Sequence, residues 1–213
     1  FKEFENYNIA TGGDTLVVDI DLDCPEALLL ADYFIPSTQL EFGRASTPRS
    51  HRLLKVIDLT KKNTRTFFDF KGKEKAMLVE IRANKHYTMA MGQYDNGEKV
   101  VWSSIGQPTE IHWDTLIKKA ALLSAACVIL RKYSAAGTHD DYLRLMVNTL
   151  WQHKVEQDDC KKIMKAVIAC AKCDDCNESK LAKIKTTYSK ERTEQIQGLP
   201  KLAEKFNWSE DEV

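Results

Sequence analysis

Leu16-Val17-Val18-Asp19-Ile20-Asp21-Leu22-Asp23 decides how the chain is read. The run Leu16 to Ile20 is β-branched and apolar, which predicts a buried strand. Successive side chains of a strand point to opposite faces, so Asp19 and Asp21 project together while Val18 and Ile20 face the other way. Two carboxylates side by side repel unless a cation lies between them, and hard oxygen ligands at this spacing suit Mg²⁺ or Mn²⁺. Asp23 has the same parity and is assigned to the following turn. Asp-x-Asp is a common tripeptide, and the competing reading is a strand that ends in acids facing water.

Outward from this strand the first half reads as strands and turns. Asn8 to Gly13 is polar and closes on the turn signal Gly12-Gly13. Pro25 opens a helix over Glu26 to Phe34. Strands are predicted at Leu53 to Leu59, Met77 to Ile81 and Tyr87 to Met91. Asp95-Asn96-Gly97 marks a hairpin with Lys99 to Trp102 as the return strand. After Gly106-Gln107-Pro108 the pattern becomes helical, with helices predicted at Leu116 to Tyr133, Asp140 to Trp151, Asp158 to Cys170 and Glu178 to Glu194. The expectation is an α+β protein with a domain built on a mixed β-sheet over 1–108 and an all-α helical bundle over 109–213.

Glu80 ends the apolar run Ala76-Met77-Leu78-Val79 and shares a face with Arg82. It is either the third acid of a metal site or one half of an edge ion pair with Arg82. A second polar segment runs from Phe42 to Arg52, and from Arg44 onward it holds three Arg, three hydroxyls and one His in nine residues. Arginine binds phosphate in a fixed, bidentate geometry and hydroxyls add donors. Gly43 allows close approach of backbone to a ligand. The bland alternative is an exposed basic loop.

Lys plus Arg and Asp plus Glu each number 31, so the net charge is zero, which by itself points away from a nucleic-acid binder. The distribution points the other way. Residues 1–43 carry one Lys and nine acids, whereas residues 44–85 carry twelve basic residues and four acids. That arrangement suits a site holding cations and polyanions side by side. No stretch is long and apolar enough to span a bilayer and no signal peptide is visible, so the expected compartment is the cytoplasm. Cys160, Cys170, Cys173 and Cys176 invite a zinc reading. However, Cys160 and Cys170 lie ten residues apart on one predicted helix, about 15 Å, so zinc is not expected.

Asp19-Ile20-Asp21, then Phe42-Gly43-Arg44 through Arg49-Ser50-His51, then Val79-Glu80-Ile81-Arg82 before a hairpin and Trp102, resemble the bifunctional primase-polymerase domains of phages and plasmids. Those domains belong to the archaeo-eukaryotic primase superfamily, and the resemblance implies that 1–108 is a catalytic domain with an RRM-like core and 109–213 an accessory helical bundle. The resemblance implies that Asp19, Asp21 and Glu80 bind two Mg²⁺ or Mn²⁺ ions. It implies that His51, helped by Arg44, Arg49, Ser50 and Arg82, contacts a nucleoside triphosphate, with His51 in the catalytic set. It further implies primer synthesis and extension on single-stranded DNA, from dNTPs or NTPs, with a helicase domain or partner in the host of a phage or plasmid. Lys61, Lys62 and Arg65 are candidates for the template backbone, and Trp102 or Tyr87 for base stacking, against the commoner core role of a strand aromatic. Gly137-Thr138-His139-Asp140, Asp174-Asp175, Thr186-Thr187 and Gly198 to Ala203 are similar to the helical region that follows such domains. The sequence departs from its relatives in two places. Relatives have a longer segment before the first motif, so part of the fold is expected to be absent. Ala90 to Tyr94 stands where many relatives carry a Pro-Pro-Ser-x-His-like stretch. The rival readings are a non-catalytic initiator that binds single-stranded DNA and a metal-dependent nuclease.

Overall fold

A computed structural model describes residues 6–70, 76–133, 139–171, 181–190 and 198–206. The protein is α+β. It divides into two compact units, Phe1–Asp69 with Met77–Ala121, and Phe70–Ala76 with Leu122–Val213. The division falls at Ala121/Leu122, inside a long helix, rather than near residue 108.

Nine strands belong to the first part of the chain: β1 Tyr7–Thr11, β2 Val17–Leu22, β3 Glu41–Arg44, β4 Thr47–Val56, β5 Arg65–Phe70, β6 Ala76–Arg82, β7 His86–Met91, β8 Val101–Ser104 and β9 Thr109–Ile111. Among the described residues they form a seven-stranded sheet in the order β5-β6-β2-β4-β3-β8, with β9 paired to β4, and a separate ribbon of β1 and β7. The β1–β7, β2–β4, β2–β6, β3–β4 and β3–β8 pairs are antiparallel, and β4 with β9 is parallel.

The central strand β2 is hydrogen-bonded on both sides and buried from Val18 to Leu22, so its two acids, Asp19 and Asp21, are buried with its apolar residues. Helix α1, Pro25–Phe34, buries Ala27, Leu30, Ala31 and Phe34, spaced as one helical face. It packs on β2 and β4. Arg52, only 1% exposed, reaches Asp32 of α1 at 2.8 Å and fixes which face of β4 the helix covers. The opposite face of the sheet carries Phe42 and Leu53, which pack with Ala90 of β7 and, half-buried around them, Ile9 of β1 and Trp102 of β8. The ribbon therefore lies over that face.

Three expectations need correction. The polar segment Phe42 to Arg52 is no loop: it is most of the hairpin β3–β4, tightly turned at Ala45 and Ser46. Its polar residues are tolerated in strands because Ser50, His51 and Arg52 are buried against partners. The polar stretch after Asn8 belongs to β1. The turn at Asp95 to Gly97 forms, with Gly97 at φ 86°, and the chain leaving it folds back as far as Val100, whose amide donates to the Gly92 carbonyl at 3.0 Å, but β8 itself pairs with β3 rather than with β7.

Helix α2, Trp113–Arg131, carries the division between the units. Its start is capped by Asp58, whose Oδ1 accepts the Trp113 amide at 2.7 Å. The second unit contains α3 His139–Gln152, α4 Gln157–Cys170, α5 Ala182–Tyr188 and α6 Leu199–Phe206. Helix α3 packs on α4, α5 and α6. Its core buries Tyr142, Leu145, Ile163, Val167 and Ile184, and Thr187 donates to Asn148 Oδ1 at 3.1 Å inside it. Cys160 is buried in α4, its thiol pushed up to about 11 by burial, and Cys170 is partly buried at the end of the same helix. Gly137, Thr138, Cys173, Asp174, Asp175 and Cys176 lie outside the described residues. No described helix is long and apolar enough to cross a membrane.

Candidate active site

Strand register assembles the polar cluster. Asp21 of β2 lies opposite His51 of β4 on one side and Glu80 of β6 on the other. Asp19 lies opposite Arg82 on β6. Residues two apart share a face, so Asp19, Asp21, His51, Glu80 and Arg82 converge on the side that the ribbon covers. Asp19 and Glu80 are fully buried, and Asp21 and His51 nearly so.

Arg82 stands at the centre. Its guanidinium donates to Asp21 Oδ2 at 2.5 Å, Glu80 Oε2 at 2.9 Å and Asp19 Oδ2 at 3.4 Å. The Glu80–Arg82 pair suggested by the sequence exists, yet it is buried and joined to both β2 acids. Arg65 of β5 takes the other Glu80 oxygen. His51 Nδ1 lies 3.0 Å from Asp19 Oδ2 and 3.7 Å from Asp21 Oδ1. The Phe42 ring stacks on the imidazole at 4.6 Å and 11°. Asp19 and Phe42 together fix the ring orientation.

Electrostatics follow from this packing. Burial drives the Asp21 carboxyl up, and the charges of Asp19 and Glu80 add to it, so His51 and Arg82 only partly offset the rise. Asp23 keeps solvent contact, but the surrounding protein and the charges of Asp21 and Glu80 push it up to about 7. Burial works on Glu80 in the same direction, yet hydrogen bonds from Arg65 and Arg82 outweigh it and hold the group below its ordinary value. Burial disfavours a charged His51, but the charge and hydrogen bond of Asp19, with Asp21, win and raise it.

A cavity of about 670 Å³ opens over the cluster. Asp21, Asp23, His51 and Arg82 line its polar floor, and Arg44, Ser50 and Arg65 stand in its wall. Arg44 lies over the Tyr94 ring at 4.9 Å, and Tyr94 also lines the cavity. The structure thus gathers Asp19, Asp21, Glu80, His51 and Arg82, with Arg44, Ser50 and Arg65 around them. Arg49 is not among the lining residues: it is bound to Glu41 at 2.6 Å and to Asp32 at 2.9 Å. Lys61 and Lys62 occupy an exposed turn, also outside the lining. Arg65, a template candidate in the sequence, is instead tied to Glu80. Trp102 takes a core role, packed on Phe42 at 4.7 Å and donating to the Ala90 carbonyl at 2.7 Å.

The carboxylates close enough to share one cation are Asp21, Asp23 and Glu80, whose oxygens lie within 4.8 Å of one another. Asp19 is adjacent to this trio through Arg82 and His51. Asp23 does sit in the turn after β2, with its amide donating to the Leu78 carbonyl at 3.1 Å, but its side chain lines the cavity. The i, i+2, i+4 parity of Asp19, Asp21 and Asp23 was the signal for it. The residues fit a hard divalent cation. All donors are oxygens, two carboxyls are raised by burial with the charges of their neighbouring acids adding to it, and the buried Asp19 Oδ1 has no hydrogen-bond partner. Arg82 already occupies the space between Asp21 Oδ2 and Glu80 Oε2 and partly serves as a cation there.

No family model, no curated protein and no solved structure matches the chain.

Proposed function

We propose that this chain is the catalytic part of a primase-polymerase, which joins nucleotides on a single-stranded DNA template and extends the primer it makes. The observation that carries the reading is the meeting of Asp21 and Asp23 with His51, Ser50 and Arg44 from the β3–β4 hairpin around one open cavity, with Glu80 of β6 buried opposite Asp21. Acids alone fit many metal-dependent reactions. Acids beside a set of phosphate-binding donors fit one whose substrate carries a polyphosphate tail.

Asp21, Asp23 and Glu80 hold Mg²⁺ or Mn²⁺, with Asp19 as the neighbouring acid. The ions supply Lewis-acid charge for the phosphoryl group in transfer. Arg44 and Ser50 bind the triphosphate through charge-assisted and hydroxyl hydrogen bonds. His51, whose charged form Asp19 favours through Nδ1, turns its other ring nitrogen to the same group. Arg82 neutralises the acids and lines the cavity, where it would also face the phosphates of a bound nucleotide. Single-stranded template, primer, dNTPs or NTPs are the partners, with a helicase domain or subunit beside them in the cytoplasm of a phage or plasmid host.

The nearly isosteric Asp21→Asn removes one charge from the cluster. Incorporation of labelled nucleotide on primed and unprimed single strands is expected to fall at least about a hundredfold, the scale of losing an electrostatic contact to the transition state. Wild-type incorporation by that variant would remove the proposal. Metal-dependent cutting of the strand without any nucleoside triphosphate would replace it with a nuclease.

A further inference from the structure

The ribbon of β1 and β7 has an unusual outer face. Along β7, Thr88 and Ala90 are buried toward the sheet, while Tyr87 is 66% and Met91 58% exposed, with Met89 partly buried between them. In β1, Ile9 points inward and Tyr7, Asn8 and Ala10 outward. The register sets Tyr7 opposite Met91, Asn8 opposite Met89 and Ala10 opposite Tyr87. A strand with one solvated face ordinarily alternates apolar-in and polar-out. Here both faces are apolar, and a contiguous exposed apolar patch marks an interaction surface.

Two observations identify what covers it. Tyr87 and Met89 also line the acid cavity, so the patch is continuous with the site, and a polymer whose end lies at the acids crosses it. In addition, the strand segments Tyr7–Thr11 and His86–Met91 contain no Asp or Glu, although the chain has 31 of them, so nothing on the patch repels a polyanion. Side chains at i and i+2 of a strand recur about every 7 Å. That is about twice the rise of roughly 3.4 Å between bases stacked in a duplex. Tyr87, Met89 and Met91 therefore offer one contact to each base of an extended, unstacked strand. Aromatic and thioether groups accept any base face.

From this, and resting on the function proposed above, we infer that the outer face of the β1–β7 ribbon is a stacking platform for the unpaired bases of the template strand, which it leads into the cavity. Recognition there is tolerant of sequence and excludes duplex, whose bases are already stacked.

The test is binding of a short fluorescein-labelled oligothymidine, followed by anisotropy at fixed ionic strength with a chelator present, so that no chemistry intervenes. Tyr87→Ala and Met91→Ala are each expected to raise Kd about tenfold, the loss of one stacked base. Tyr87→Phe keeps the wild-type value because the ring remains. Met91 is the cleaner probe, since it does not line the cavity. The same oligonucleotide annealed to its complement is expected to bind no differently to the variants and the wild type. Wild-type Kd for both alanine variants overturns the platform. If Asp21→Asn abolishes incorporation in that same series, the proposed function survives without it. Sedimentation gives a further route to refutation: a wild-type dimer that Met91→Glu converts to monomer, with oligothymidine binding unchanged, assigns the face to a second copy of this chain.

Discussion

Asp19 and His51 make the closest acid–imidazole pair of the cluster, and both are almost wholly inside the protein. The imidazole remains charged to higher pH than in a free peptide because Asp19 outweighs the penalty of burial. Its folded value is raised, so the stability it contributes is fully present below the ordinary value of 6.5 and is lost as pH rises through the folded value. In metal-free protein the NMR titration midpoint of His51 is expected above 6.5, and Asp19→Asn is expected to bring it to or below 6.5. A midpoint unmoved by that substitution would show that Asp19 does not hold the charge. Asp19 and Asp21 were legible because strand parity is a local property. Asp23 shares that parity but reads as part of the turn after the strand, and only the closure of β6 against β2 shows where its carboxylate goes. The Arg65–Glu80 pair was not legible at all, since it depends on β5 lying beside β6.

At the scale of elements, the β3–β4 hairpin is the most demanding piece. Gly43 sits where a Cβ would lie 2.3 Å from the Thr47 carbonyl oxygen and 2.9 Å from the Arg49 amide. The backbone that approaches Gly43 is thus the protein's own, not a ligand. Gly43→Ala forces the two strands apart and is expected to cost roughly 1–3 kcal/mol in urea unfolding, the range for overpacking. Incorporation should fall as well, because Ser50 and His51 move with the strand. Strands β2, β6 and β7 were readable from apolar, β-branched runs. The hairpin was not, because Ser50, His51 and Arg52 are polar and look solvated until their partners on β2 and α1 are known. β9 is only three residues long, too short for any period.

For the whole molecule, the α+β class and the change from strands to helices followed from the pattern of the chain, but the point of division did not. A helix long enough to begin in one unit and end in the other leaves no composition break at the boundary. Metal binding is the global test. A ligand bound only by the folded state adds about 2.7 kcal/mol at a hundredfold excess over its Kd. Mn²⁺ titrated into wild-type protein is therefore expected to raise the melting temperature. The rise should be lost in Asp21→Asn and reduced in Asp23→Asn, as read by calorimetry.

The acids on β2 and the arginine that binds them are supplied by stretches of chain far apart, Arg82 lying 61 positions after Asp21. During synthesis the ribosome delivers Asp19 and Asp21 early, and their neighbours on β6 only after the hairpin and β5 have emerged. A nascent chain stopped short of Arg82 carries paired negative charges with only His51 of β4 to offset them, so the central strand gains its second neighbour and its arginine counterion in one late event.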